Sequence, residues 1–142
     1  MNKTLSPICE PFDGANNISN IVIRNINLIR EESPETYEIF IQGKDYAYAK
    51  VIFRKALGMR ILNERELLEF WENYGQDISW LLEVKSGGWM DLEKTRDSFN
   101  SFIDWELCRE YMIVEDLCIS ILSFEKPEII DLGRGNLGNE NK

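Results

Sequence analysis

Two periods run along this chain. A period of two, in which side chains point alternately to opposite faces of a strand, recurs from Asn20 to Leu132. A period near 3.6 holds from Asn63 to Tyr74. Ahead of both, residues 1–19 read as an irregular arm. Pro7, Pro11, Asp13-Gly14 and Asn16-Asn17 punctuate it, and Ile8 and Phe12 are the side chains able to pin it to the body. Asn20 to Arg30 (NIVIRNINLIR) is predicted as a strand. Ile21, Ile23 and Ile29 fall on one face and Val22, Ile26 and Leu28 on the other, the pattern of an internal strand. Thr36 to Gln42 is a second strand, Gly43-Lys44-Asp45 a short connection, and Tyr46 to Lys55 the returning arm of a hairpin. Ala47, Ala49, Val51 and Phe53 give that arm its core face, and Gly58 is expected to close it.

The helical stretch has both of its ends marked. Asn63 is a good N-cap, and Glu66 three residues later completes a capping box. Leu67, Phe70, Trp71 and Tyr74 form one apolar stripe, and Gly75 supplies the C-terminal stop. Ile78 to Lys85 then alternates strictly, with Ile78, Trp80, Leu82 and Val84 as its core face. Ser86-Gly87-Gly88 is a turn that permits positive φ and lacks the spacing of a phosphate loop. Asp91 to Ile103 fits either a helix capped by Asp91 or a loop that turns helical late. Glu110 to Val114 is a strand, Glu115-Asp116 a turn, and Leu117 to Phe124 its returning partner. On that partner Leu117, Ile119 and Ile121 line one face, and Cys118, Ser120 and Leu122 the other. Pro127 breaks the run, Glu128 to Leu132 is a short final strand, and residues 133–142 are a flexible polar tail. The sum is a single α+β domain over residues 1–132: a mostly antiparallel sheet of five or six strands, with one or two helices packed on a face.

Composition sharpens this picture. A chain of 142 residues, 44% of them apolar, fills one hydrophobic core. The 25 acids outnumber the 16 bases for a net charge of −9. Between Asp91 and Asp131 eleven acids face four bases, so −7 of the −9 lies there. A surface of that sign opposes direct binding to nucleic acid and favours a cationic partner. The absence of histidine removes every imidazole base, nucleophile partner and metal ligand. Cys9, Cys108 and Cys118 show neither a disulfide framework nor zinc spacing and are expected as buried thiols, the last two close together only if their segments pair. No run approaches the ~20 apolar residues of a membrane span. The N-terminal MNKTLSPICEPFDG has no apolar secretory core. A cytoplasmic protein with no cofactor or metal is the expectation.

The C-terminal half resembles a known class of protein. Glu83-Val84, Ser86-Gly87-Gly88-Trp89, Glu110-Tyr111-Met112-Ile113-Val114 and Glu115-Asp116-Leu117-Cys118-Ile119-Ser120-Ile121-Leu122-Ser123 are similar to segments of small immunity proteins of bacterial polymorphic toxin systems, in particular those of contact-dependent growth inhibition. The resemblance covers residues 78–130. It implies a cytosolic protein that binds the C-terminal domain of a toxin delivered by a neighbouring cell, often a nuclease. It describes a scaffold and transfers no catalytic or contact residue.

Charge and expected exposure nominate the contacts. Asp104-Trp105-Glu106 sets an aromatic between two carboxylates, the composition of an interface anchor. Glu115 and Asp116 form an acidic turn, and Glu31, Glu32 and Glu35 an acidic loop. Two further function classes fit the residues. One is a regulatory adaptor or nucleic-acid mimic, which would bind many basic proteins. The other is a carboxylate-dependent hydrolase, which no acidic pair in the sequence specifically demands.

Overall fold

The computed structural model describes residues 8–12, 15, 18, 20–30, 35–63, 79–95 and 105–134. They form a mostly antiparallel sheet in a single domain. Its strands are β1 (Ile8–Pro11), β2 (Val22–Ile29), β3 (Glu35–Gln42), β4 (Ala47–Asn63), β5 (Leu81–Ser86), β6 (Arg109–Val114), β7 (Leu117–Ser123) and β8 (Glu128–Arg134). A five-residue helix, α1 (Trp89–Glu93), and two 3-10 turns, Lys44–Tyr46 and Trp105–Leu107, complete the described elements. The strand order is β1-β5-β6-β7-β4-β3-β2, with β8 beside β4.

The 17-residue β4 is the spine. Residues 48–56 pair with β3, residues 47–52 with β8, and residues 56–63 with β7. The change of partner is made by bulges. Arg54 and Lys55 together oppose Thr36, and Leu57 is an extra residue against β7. Extra residues on one strand bend it and increase its twist. Lys55 adopts φ 55, a left-handed conformation that L side chains take reluctantly. The bend lets one strand serve both halves of a curled sheet. The curl brings the β6–β7 turn near β2, where the Ile23 backbone is close enough to act on the Glu115 carboxyl although β7, β4 and β3 lie between them in sheet order.

Alternation sorts the strands into two buried layers. Ile39 and Ile41 of β3, Val51 and Phe53 of β4, Leu81 of β5, Tyr111 and Ile113 of β6, and Ile119 and Ile121 of β7 make the main core. Phe12 meets Tyr111 edge-on at 5.9 Å, and the Trp80 indole N–H donates to the Ala15 carbonyl at 2.7 Å, so the segment after β1 closes over this core. On the opposite face Cys9, Leu82, Val84, Met112, Val114 and Cys118 form a second cluster. A third, of Met90, Cys108 and Leu122, lies beneath α1 and the Trp105 turn, with Trp89, Trp105, Leu57 and Phe124 packed against it.

Several expectations are corrected. The sheet has eight strands, not five or six. Residues 8–11, read as irregular, pair with β5 because Pro11 ends the strand rather than interrupting it. β2 is an edge strand, not an internal one; its Val22 and Leu28 are exposed. Gly58 does not close β4, which the bulges carry on to Asn63. β5 buries both faces, with Leu81 in the main core and Leu82 in the second cluster. Trp80, expected on the face of Leu82, lies just before the strand and joins Leu81. α1 begins two residues ahead of Asp91. β8 runs through Gly133 to Arg134, so the first tail residues belong to the sheet. The helix expected over Asn63 to Tyr74 falls outside the described residues beyond Asn63, as do positions 96–103 and 135–142. Among the described residues no helix is long and apolar enough to cross a membrane.

Candidate functional site

One face of the hairpin β6–β7 gathers most of the polar chemistry. Glu110 stands on β6 in register with Val84 on one side and Leu122 on the other. It shares the face of Met112 and Val114 and is only 1% exposed. Its carboxylate accepts the backbone N–H of Trp89 at 3.2 Å and of Met90 at 2.9 Å. These are two of the N–H groups that a helix start leaves without an internal partner. α1 is therefore capped by a side chain from a distant strand. Its own N-cap, Gly88, is extended and has no side chain to do so. A Cβ on Gly88 would come within 2.7 Å of Glu110 Oε1 and 2.8 Å of Val84 Cγ1. Glycine is needed there for space. At Gly87 it is needed for conformation, since φ is 79 and the N–H turns to the Asp91 carboxylate at 2.7 Å.

Burial raises the Glu110 carboxyl above its ordinary value, and the two N–H bonds and the Arg60 charge pull in the opposite direction. Arg60, on the β4 register opposite Ser120, lies over the Trp89 ring at 5.1 Å. The Trp89 indole N–H donates to Glu93 at 2.8 Å, which fixes the plane of the ring. The ring packs over Gly58, its Cη2 3.7 Å from where a Cβ would stand, an ordinary contact distance.

On the other side of α1 is an open cavity of about 260 Å³. Val84, Met90, Trp105 and Cys108 give it apolar walls, and Glu83, Lys85, Lys94, Glu106 and Arg109 a rim of mixed sign. Glu83 sits between Lys85 at 3.2 Å and Arg109 at 3.9 Å. The Arg109 guanidinium also donates to the carbonyls of Glu106 and Cys108, at 2.8 and 3.0 Å, and so ties the Trp105 turn to β6. The volume falls below the ~300 Å³ at which small-molecule pockets begin, and it suits a single side chain. The Cys108 thiol, pushed up to about 11 by burial, stays protonated and is a poor nucleophile at neutral pH.

The nominated contact residues divide between the two ends of this hairpin. Trp105 is half-buried at the cavity, Glu106 beside it is exposed, and Leu107 after it is 62% exposed. Glu115 and Asp116 lie at the other end of β6, a strand length of about 20 Å away. Asp116 is exposed, but Glu115 is half-buried, turned inward toward the backbone N–H groups of Leu117, Ile23 and Asp116. Glu35, at the start of β3, pairs with Arg30 at 3.6 Å. Glu31, Glu32 and Asp104 lie outside the described residues. The described acids thus make no single patch. Cys108 and Cys118 belong to separate clusters, and the three buried cysteines are not joined in disulfides.

Reading by charge missed Glu110, Arg60, Trp89 and Gly88. A signal for Glu110 was present: an acid two and four residues before Met112 and Val114, on the face that alternation buries. Nothing in the sequence links Arg60 to Trp89, since strand pairing alone brings them together. No protein-family model, curated protein or solved structure matches the chain.

Proposed function

We propose that this chain is an immunity protein, which captures and neutralises a cognate basic toxin domain of nuclease type. The observation that carries this reading is the Trp105–Leu107 turn. In a chain of net charge −9 it offers a half-buried indole, an exposed carboxylate and an exposed leucine beside a cavity of side-chain size. Interfaces draw most of their binding energy from such aromatic anchors, and the surrounding charge governs the speed and selectivity of encounter. The protein acts by occupying its partner, without turnover, cofactor or metal, in the cytoplasm of the cell that receives the toxin.

The test is a pull-down with the purified protein as bait and the toxin domain encoded beside its gene as prey. A one-to-one complex that survives washing, together with protection of cells expressing the toxin, is the expected result. No complex and no protection with any neighbouring toxin domain refutes the reading.

A further inference from the structure

An open sheet edge is a template for pairing with another chain, and this sheet guards its edges unequally. β1 is four residues long, ends in Pro11 and carries Glu10. β8 follows Pro127 and carries Glu128 and Asp131. β2 is eight residues long, has no proline and no acid, and ends the strand order, so no described strand covers its outer side. Near its start a bulge leaves Arg24 without a partner on β3, and the Ile23 backbone lies close to the Glu115 carboxyl. Beyond the bulge, residues 25–29 run in unbroken register with β3. Asn25, Asn27 and Leu28 are exposed there, Leu28 by 51%. Ile26 packs against the main core, and alternation puts Leu28 on the same face.

We infer that residues 25–29 of β2 pair antiparallel with the same residues of a second copy of this chain, about a two-fold axis at Asn27, to form a symmetric dimer. Charge selects the occupant. Residues 20–30 hold two arginines and no acid, within a chain of net charge −9. Arg24 and Arg30 oppose a basic partner at this edge and favour an acidic one, and a second copy is such a partner. The edge is also complementary to itself. Side chains directly opposite in an antiparallel pair share a face, so Ile26 of each copy meets Leu28 of the other on the core side. Asn27 meets Asn27, and an amide offers its own copy both a donor and an acceptor. Asn25 meets Ile29. All five residues are uncharged, so no like charges face each other across the paired segment. Arg24 stands exposed at the bulge, and Arg30 is paired with Glu35 at 3.6 Å. The contact is small, so the dimer is weak and exchanges with the monomer. The inference does not rest on the immunity reading, because the purified chain alone forms the contact.

Sedimentation equilibrium of the purified protein over a concentration series tests this. A reversible monomer–dimer equilibrium is expected for the wild type. L28K sets a cation against the Ile26 of the other copy, and N27K sets two ammonium groups face to face on the axis. Each raises the dissociation constant by about tenfold or more. Both positions are exposed, and residue 27 stands opposite Glu38 within its own chain, so the melting temperature of the dilute monomer is unchanged. If L28K does not fold, N27K decides. A wild type that stays monomeric at about 1 mM overturns the inference, as does a dimer that both substitutions leave intact. A monomeric wild type whose binding to the toxin domain encoded beside its gene is weakened by L28K assigns the edge to that partner and equally overturns the inference.

Discussion

Glu110 and Gly88 are best understood together. The carboxylate takes the space that a Cβ on residue 88 would need, and uses it to hold the start of α1. Gly88→Ala is expected to cost about 1–3 kcal/mol, the usual range for overpacking, measured by urea denaturation. Part of that cost disappears when Glu110→Ala has already removed the obstructing carboxylate. Glu110→Ala itself strands two N–H groups and loses roughly 1–3 kcal/mol. The pH dependence has a definite sign. With its folded pKa raised by burial, Glu110 holds a proton where the unfolded chain has released it. Its contribution to stability is full below the ordinary value near 4.5 and is lost as pH rises through the raised value. Glu110→Gln keeps an acceptor but cannot ionise, so it flattens this fall; denaturation curves of equal slope for both proteins would contradict the assignment. Glu115, raised in the same direction, leaves a residual slope. Almost none of this was legible in the sequence. A buried acid beside a glycine is recognised only once strand register sets residues 88 and 110 together, although they are far apart in the chain.

Elements were legible where alternation was clean and both ends were marked. The β3–β4 and β6–β7 hairpins and their core faces follow from Ile39, Ile41, Val51, Phe53, Ile119 and Ile121. Their extent was not legible, because bulges break the period without leaving a sequence signal. Lys55 and Leu57 interrupt the pattern at the point where Gly58 looks like a stop, yet β4 continues to Asn63 and gains β7 as a partner. The short β1 was masked by Pro11, whose ring is tolerated at a strand end. The bulge itself can be tested. Lys55→Gly removes the penalty of φ 55 and is expected to raise stability by about 1 kcal/mol. The ion pair it deletes, Lys55 to Glu125 at 3.8 Å, is well exposed and offsets little of that gain. A loss of stability on thermal or urea unfolding would show that the bend is held by the lysine side chain instead.

At the scale of the molecule, charge and shape have to be read together. The −9 net charge was plain from composition, but its arrangement was not. Among the described residues, folding pairs Glu35, Glu83, Glu125 and Glu128 with cations, turns Glu115 inward and buries Glu110, while Glu106 and Asp116 stand exposed at opposite ends of a hairpin. Under the proposed function the field of the whole chain steers a basic partner, while the Trp105 turn sets the contacts. Under this account the association rate with the toxin domain falls about tenfold or more as salt is raised from about 0.05 to 0.5 M, and the dissociation rate changes much less. The measurement that tests the central claim most directly is a titration of toxin-domain activity with the wild type and with Trp105→Ala, both shown to be folded. The account predicts loss of activity at one equivalent of wild type and a need for about tenfold or more of the variant. Undiminished activity in excess wild type, or coincident titrations of the two proteins, would contradict it.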